Sequence, residues 1–204
     1  MTADLPNPGR REMLNRLAMS LGGVLSLPLV ASSHPIQHHL RDDGVVHLAD
    51  AQAHAAEYVS EFLDPHQFQT LQALAERIVP GSTNARSGAF IDQLLFVAPQ
   101  DEQRTFLQAL GAFERLAVER GRAAWKDLSE RQQIELLEVA STARPGATSG
   151  ASGRMRVTVR DHFEHLKGWI VGAYYSSELG MRELGWTETM VFTAFPGCEH
   201  GRHD

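Results

Sequence analysis

Cysteine is nearly absent from this chain: Cys198 is the only one among 204 residues. An internal disulfide is therefore impossible, and an iron–sulfur cluster or a cysteine-rich zinc site within the chain is excluded. Long apolar runs are equally scarce. After the segment from Leu17 to Ala31 no stretch approaches the ~20 apolar residues of a membrane-spanning helix, so the rest of the chain is expected to be soluble. Positive charge is also thin, with 19 Lys and Arg against 25 Asp and Glu and a net charge of −6. The basic residues are scattered among acids, whereas a phosphate-binding surface needs them clustered, which argues against nucleic acid as a partner. The usual enzyme signatures are missing too: there is no Gly-rich phosphate loop after a strand, no Gly-x-Ser-x-Gly elbow and no His-Glu-x-x-His pair.

What is present begins at the amino end. Arg10-Arg11, followed by Glu12, Met13 and Leu14, precedes the apolar run, which Gly22, Gly23 and Pro28 interrupt and which holds no charge after Arg16. This pattern reads as a twin-arginine export signal, a route that carries proteins already folded, rather than a stable spanning helix. Met13 stands where an aromatic or apolar residue is usual, and Asn15 where lysine is common. A frayed amphipathic helix is the plainer alternative. Small residues at Ala31-Ser32-Ser33 suit cleavage after Ser33, giving a signal segment over 1–33. Removing residues 1–31 takes away Arg10, Arg11 and Arg16 against Asp4 and Glu12, so the net charge moves from −6 to −7. In an oxidising compartment the lone Cys198 is either a free thiol or half of a bridge to another chain. Its place in the tail Phe195-Pro196-Gly197-Cys198-Glu199-His200 favours the bridge.

Residues 34–62 show little periodicity and many histidines (His34, His38, His39, His47 and His54), which reads as a linker or extended arm. The functional alternative is a metal site in which His38 and His39 ligate zinc or copper with a third partner. The folded domain is expected over 63–204. Asp64-Pro65-His66-Gln67 is a capping box with proline at the first helical position, and Phe68, Leu71, Leu74, Ala75 and Ile78 follow at helical spacing until Pro80-Gly81. A second buried face covers Ala89 to Val97 through Phe90, Ile91, Leu94 and Leu95. A third helix runs from Asp101 to Arg120, with Phe106, Leu107, Leu110, Phe113 and Leu116 inward. Ser129-Glu130-Arg131-Gln132 caps a fourth carrying Ile134, Leu137, Val139 and Ala140, and Arg144 to Gly153 is a surface loop. The last helix is expected from Met155 to Leu179 or Leu184, with Val159, Phe163, Leu166, Ile170 and Tyr174 as its main row and Trp169, Ala173 and Tyr175 widening it. A helix that is apolar around so much of its circumference is central to a bundle or shared with a partner. No run alternates as a strand does, so the class is all-α, an irregular bundle of about five or six helices.

Three clusters carry residue types capable of chemistry. His162 and His165 lie three apart beside Asp161 and Glu164, yet Phe163 and Leu166 define the buried stripe, so the histidines read as a solvated edge. Cys198 with His200 and His203 has ligand types but sits in a tail that supplies little to orient them. Tyr174-Tyr175-Ser176-Ser177-Glu178 reads as packing, with a hydroxyl reaching a surface, rather than as an acid–base site. No catalytic, cofactor-binding or metal residue is assigned.

Three segments then carry a resemblance: Leu71 through Pro80; Phe90-Ile91-Asp92-Gln93-Leu94-Leu95; and Gly172-Ala173-Tyr174-Tyr175-Ser176-Ser177-Glu178-Leu179-Gly180 with Leu184-Gly185-Trp186. In this order, closed by Phe195-Pro196-Gly197 and preceded by the twin-arginine leader, they resemble the gluconate 2-dehydrogenase subunit 3 family. Members are small subunits of membrane-bound FAD-dependent sugar and sugar-acid dehydrogenases. The resemblance implies a helper with no active site or cofactor of its own. Its partners would be an FAD-containing large subunit that oxidises the substrate alcohol and a multihaem cytochrome subunit, with haem c, that passes electrons to the quinone pool. It further implies a leader, read by the twin-arginine translocase, that carries the folded flavoprotein across, and a periplasmic place at the inner membrane within the complex. Trp169, Tyr174, Tyr175 and Trp186 are the candidate partner surface, because aromatics dominate interface hot spots, with a place in the core the equal alternative for each. The alternative is a free-standing periplasmic protein binding a metal or small ligand through its histidines.

Overall fold

The computed structural model describes residues 35–146, 148–149, 154–155 and 157–186. Among them are seven α-helices: α1 (Asp43–Ala53), α2 (Pro65–Ile78), α3 (Ser87–Val97), α4 (Gln100–Leu116), α5 (Glu130–Thr142), α6 (Val159–Ser176) and α7 (Glu178–Glu183). Short 3₁₀ turns lie at His39–Arg41 and Trp125–Asp127, and a π-turn at Ala117–Gly121 extends α4. Thr148–Ser149 and Arg154–Met155 pair as a two-residue antiparallel ladder. The architecture is all-α.

Both capping boxes form. Asp64 accepts the Gln67 amide at 2.8 Å while the Gln67 side chain takes the Asp64 amide at 3.1 Å, starting α2 behind Pro65. Ser129 and Gln132 do the same for α5. Helix α6 packs against α2, α3, α4, α5 and α7, which is why it is apolar on so many sides. Leu166, Trp169 and Ile170 from α6 meet Phe106, Leu110 and Phe113 from α4 and Ile91, Leu94 and Leu95 from α3 in one cluster. Burying such side chains is worth roughly 1.5–3 kcal/mol each, so this central helix supplies much of the cohesion.

The structure departs from the sequence expectations in three places. The stretch read as a linker over 34–62 holds α1, capped by Asp42, which accepts from the amides of Gly44 (3.1 Å) and Val45 (3.2 Å). Its inner face joins the partly buried Val45 and Val46 to Ala49 and Ala53, packed against α3, and exposed Leu48 on the other side blurs the periodic signal. The last helix starts at Val159, not near Met155, because Asp161 accepts the Thr158 amide at 2.7 Å and the Gly146 amide at 2.9 Å and so sets the start. Ile134 is exposed; α5 instead turns Gln133, Leu136 and Ala140 inward, and Gln133 earns that place by bonding the Trp125 carbonyl (3.0 Å) and Arg77 (2.9 Å).

Candidate functional site

Three constructions around α6 define what the molecule offers. The first is the elbow between α6 and α7. The Ser177 hydroxyl donates to the Tyr174 carbonyl at 2.6 Å and accepts the Gly180 amide at 3.2 Å, ending one helix and capping the next. Gly180 lies so close that a Cβ there would stand 2.3 Å from the Tyr174 carbonyl oxygen. The Tyr174 ring reaches the turn after α2, where Gly81 has φ +93° and a Cβ would sit 3.4 Å from the phenolic oxygen. That turn is folded around Glu76, which accepts from the amides of Gly81 (2.8 Å) and Thr83 (2.9 Å). Burial and the Glu183 carboxylate push the Tyr174 phenol up to about 12.

The second is a groove on α6. Gly168 and Gly172, one turn apart, leave room for the chain that enters the fold: a Cβ on Gly168 would come within 2.8 Å of Pro35 Cδ, and one on Gly172 within 2.2 Å of Ile36 Cγ2. Ile36 is fully buried there. Residues 35–36 are thus built into the body.

The third lies just beyond. His38 Nε2 is 3.0 Å from one oxygen of Glu102 and His39 Nε2 is 2.9 Å from the other, with the two imidazole centroids 3.9 Å apart. His39 is nearly buried against Trp169, at 5.5 Å between centroids, and burial outweighs its bond to Glu102 in holding its pKa below the usual histidine value. His38 stays half exposed.

Other buried polar groups knit the bundle. Asp92, fully buried, accepts from the Tyr58 hydroxyl (2.6 Å) and from the amides of Glu61 and Leu63 (2.7 Å each), fixing the strap before α2 on α3. Burial, then the bond to Asp92, pushes the Tyr58 phenol well up. Glu114 accepts from Thr70 and from the Trp125 amide (3.2 Å), joining α2, α4 and the turn at 125–127.

The residues singled out from sequence divide accordingly. Trp169 and Tyr174, expected at a partner surface, are buried: Trp169 is edge-on to Phe106 at 5.7 Å and Tyr174 lies under the Gly81 turn, so the interior takes both rings. Tyr175 and Trp186 are half-buried and keep an open face, with Leu179 and Leu184 exposed nearby in sequence. His165 is not on a solvated edge, since its ring meets Phe106 at 6.4 Å and its Nε2 is buried without a hydrogen-bond partner. Burial is the main cause lowering the pKa of both His162 and His165. Arg10, Arg11 and Cys198, with His200 and His203, lie outside the described residues. Sequence reasoning missed Glu102, which carried no signal beyond a place in the first turn of a helix, and Pro35 with Ile36, whose role needs the two glycines of α6.

The elbow, the Gly81 turn and the Asp92 strap coincide with the three segments that carry the resemblance, and a model of the gluconate 2-dehydrogenase subunit 3 family matches residues 65–196. The chain belongs to that family. No curated protein and no solved structure matches the chain. Among the described residues no helix is long and apolar enough to cross a membrane.

Proposed function

We propose that this chain is the non-catalytic small subunit of an FAD-dependent sugar or sugar-acid dehydrogenase, stabilising the flavoprotein subunit and escorting it through twin-arginine export. The observation that carries the reading is the family match over residues 65–196. Two features of the chain support it. The leader pattern at Arg10-Arg11 suits a route for folded cargo. Directly behind it, Pro35 and Ile36 are seated on the central helix, so the leader is joined to the folded body without a long tether.

The partners in this reading are the FAD-containing large subunit, a multihaem cytochrome c subunit and the twin-arginine translocase. FAD and haem c belong to those partners, and the periplasmic place at the inner membrane comes through them. Tyr175 and Trp186, with exposed Leu179 and Leu184, form the partner-facing patch, and Cys198 supplies a covalent tie to the large subunit. A mixed disulfide dimer on a non-reducing gel, absent in Cys198→Ser, is the expected mark of that tie.

The test is co-expression with the neighbouring reading frames and recovery from the periplasm, comparing the native leader with Arg10→Lys plus Arg11→Lys. A flavoprotein that co-purifies with the native chain and stays cytoplasmic with the double variant is the expected outcome. Recovery of the chain alone, without flavin, overturns the reading.

A further inference from the structure

We propose that His38, His39 and Glu102 form a binding site for a divalent transition-metal ion of the zinc type, which fastens the amino-terminal arm to α4. The three side chains offer two imidazole nitrogens and a carboxylate, and their donor atoms all lie within 4.8 Å of one another. That set suits Zn²⁺, which takes nitrogen and oxygen ligands at about 2.0–2.2 Å and completes four-coordination with a water or other small ligand.

The site is held from both sides. Its histidines sit where the arm tightens into the 3₁₀ turn His39–Arg41, anchored by Ile36 in the α6 groove and by the Leu40 amide bonded to the Ile36 carbonyl at 3.1 Å. Trp169 packs against the His39 ring and fixes its direction, as outer contacts do for ligands in protein metal sites. Glu102 comes from the opposite wall, in the first turn of α4, 63 residues along the chain from His39.

The chemistry also favours a cation over a simple ionic latch. The two imidazole centroids lie 3.9 Å apart with their planes tilted by 42°, and each ring brings its Nε2 to a different oxygen of the same carboxylate. A divalent ion takes both imidazole nitrogens and the carboxylate as ligands at once. The inference is independent of the escort reading, because a metal fastening serves the fold whether or not a flavoprotein is bound.

The test uses the full chain, stripped with a chelator and titrated with Co²⁺ as the spectroscopic probe. The expected result is one saturable equivalent with visible d–d absorption, displaced by Zn²⁺, and slower proteolysis of the arm when metal is bound. His38 is half exposed, so His38→Ala keeps the fold while weakening Co²⁺ binding by about 100-fold or more, and Glu102→Gln weakens it by at least about tenfold. The paired variant His200→Ala with His203→Ala and the single variant His47→Ala retain the signal. An unchanged Co²⁺ spectrum in His38→Ala, or no saturable equivalent in the native chain, overturns the proposal.

Discussion

The Cγ2 atom of Ile36 lies 2.2 Å from where a β-carbon on Gly172 would stand, so the two residues share one volume and only glycine permits both. In an exposed helix Gly→Ala stabilises by about 0.8–1 kcal/mol. Here overpacking of about 1–3 kcal/mol opposes that gain. Gly172→Ala is expected to lower stability by about 1 kcal/mol or to expel the arm, read by urea unfolding together with proteolysis around residue 36. A more stable protein with an unchanged cleavage pattern would show that the arm is not seated on α6.

A second substitution probes the elbow. Gly180→Ala brings a methyl group to 2.3 Å from the Tyr174 carbonyl oxygen, a backbone atom with little freedom to retreat. A loss of about 2 kcal/mol or more is expected in urea unfolding. The same change at exposed Gly185 has no neighbour to meet within 4 Å, but there φ is +77°, so its effect is backbone strain of about 1–2 kcal/mol.

Asp92 gathers the Tyr58 hydroxyl and the amides of Glu61, Phe62 and Leu63, and removing it strands the buried Leu63 amide and weakens the hold on the part-buried groups beside it. At about 1–3 kcal/mol for an unsatisfied buried group, with smaller losses from the part-buried donors, Asp92→Ala is expected to cost about 2 kcal/mol or more. Asp92→Asn keeps the shape and one accepting oxygen and should fall between it and the native protein. Equal stability of all three by chemical denaturation would rule out this role.

Glu76 and Asp161 predict the behaviour in acid. Burial alone would raise both carboxyls, but for Glu76 the bonds from Gly81, Thr83 and Ser82, and for Asp161 those from Thr158 and Gly146, outweigh it, and both pKa values end below the ordinary range. The unfolded chain then binds protons more readily than the folded one. The stabilisation is full above the ordinary carboxylate pKa of about 4 and is lost as pH falls through the lower folded values. Unfolding midpoints measured from neutral pH downward should fall across that window, and Glu76→Gln should start lower and fall less.

How much of this was legible in the sequence follows from the range of each signal. Capping boxes at Asp64 and Ser129 span three residues, and the structure contains both. The centrality of α6 was legible because five packing neighbours leave an apolar trace all round the helix. Helix α1 was not, since the small inner side chains Val45, Val46, Ala49 and Ala53 are offset by exposed Leu48 on the outer side. The burial of Trp169 and Tyr174 was undecidable from periodicity, because core and interface ask for the same aromatic residues. His38 and His39 were visible as ligand types, but Glu102 is joined to them only by the path of the arm across α4, a long-range relation that no local pattern encodes.

The seating of Pro35 and Ile36 also sets a limit on trimming. A maturation cut on the amino side of Pro35 leaves the body whole. A cut two residues further on, after Ile36, removes a wedge from between two turns of the central helix and opens a void the size of an isoleucine side chain. The margin between trimming the amino end and uncorking the fold is only two residues wide.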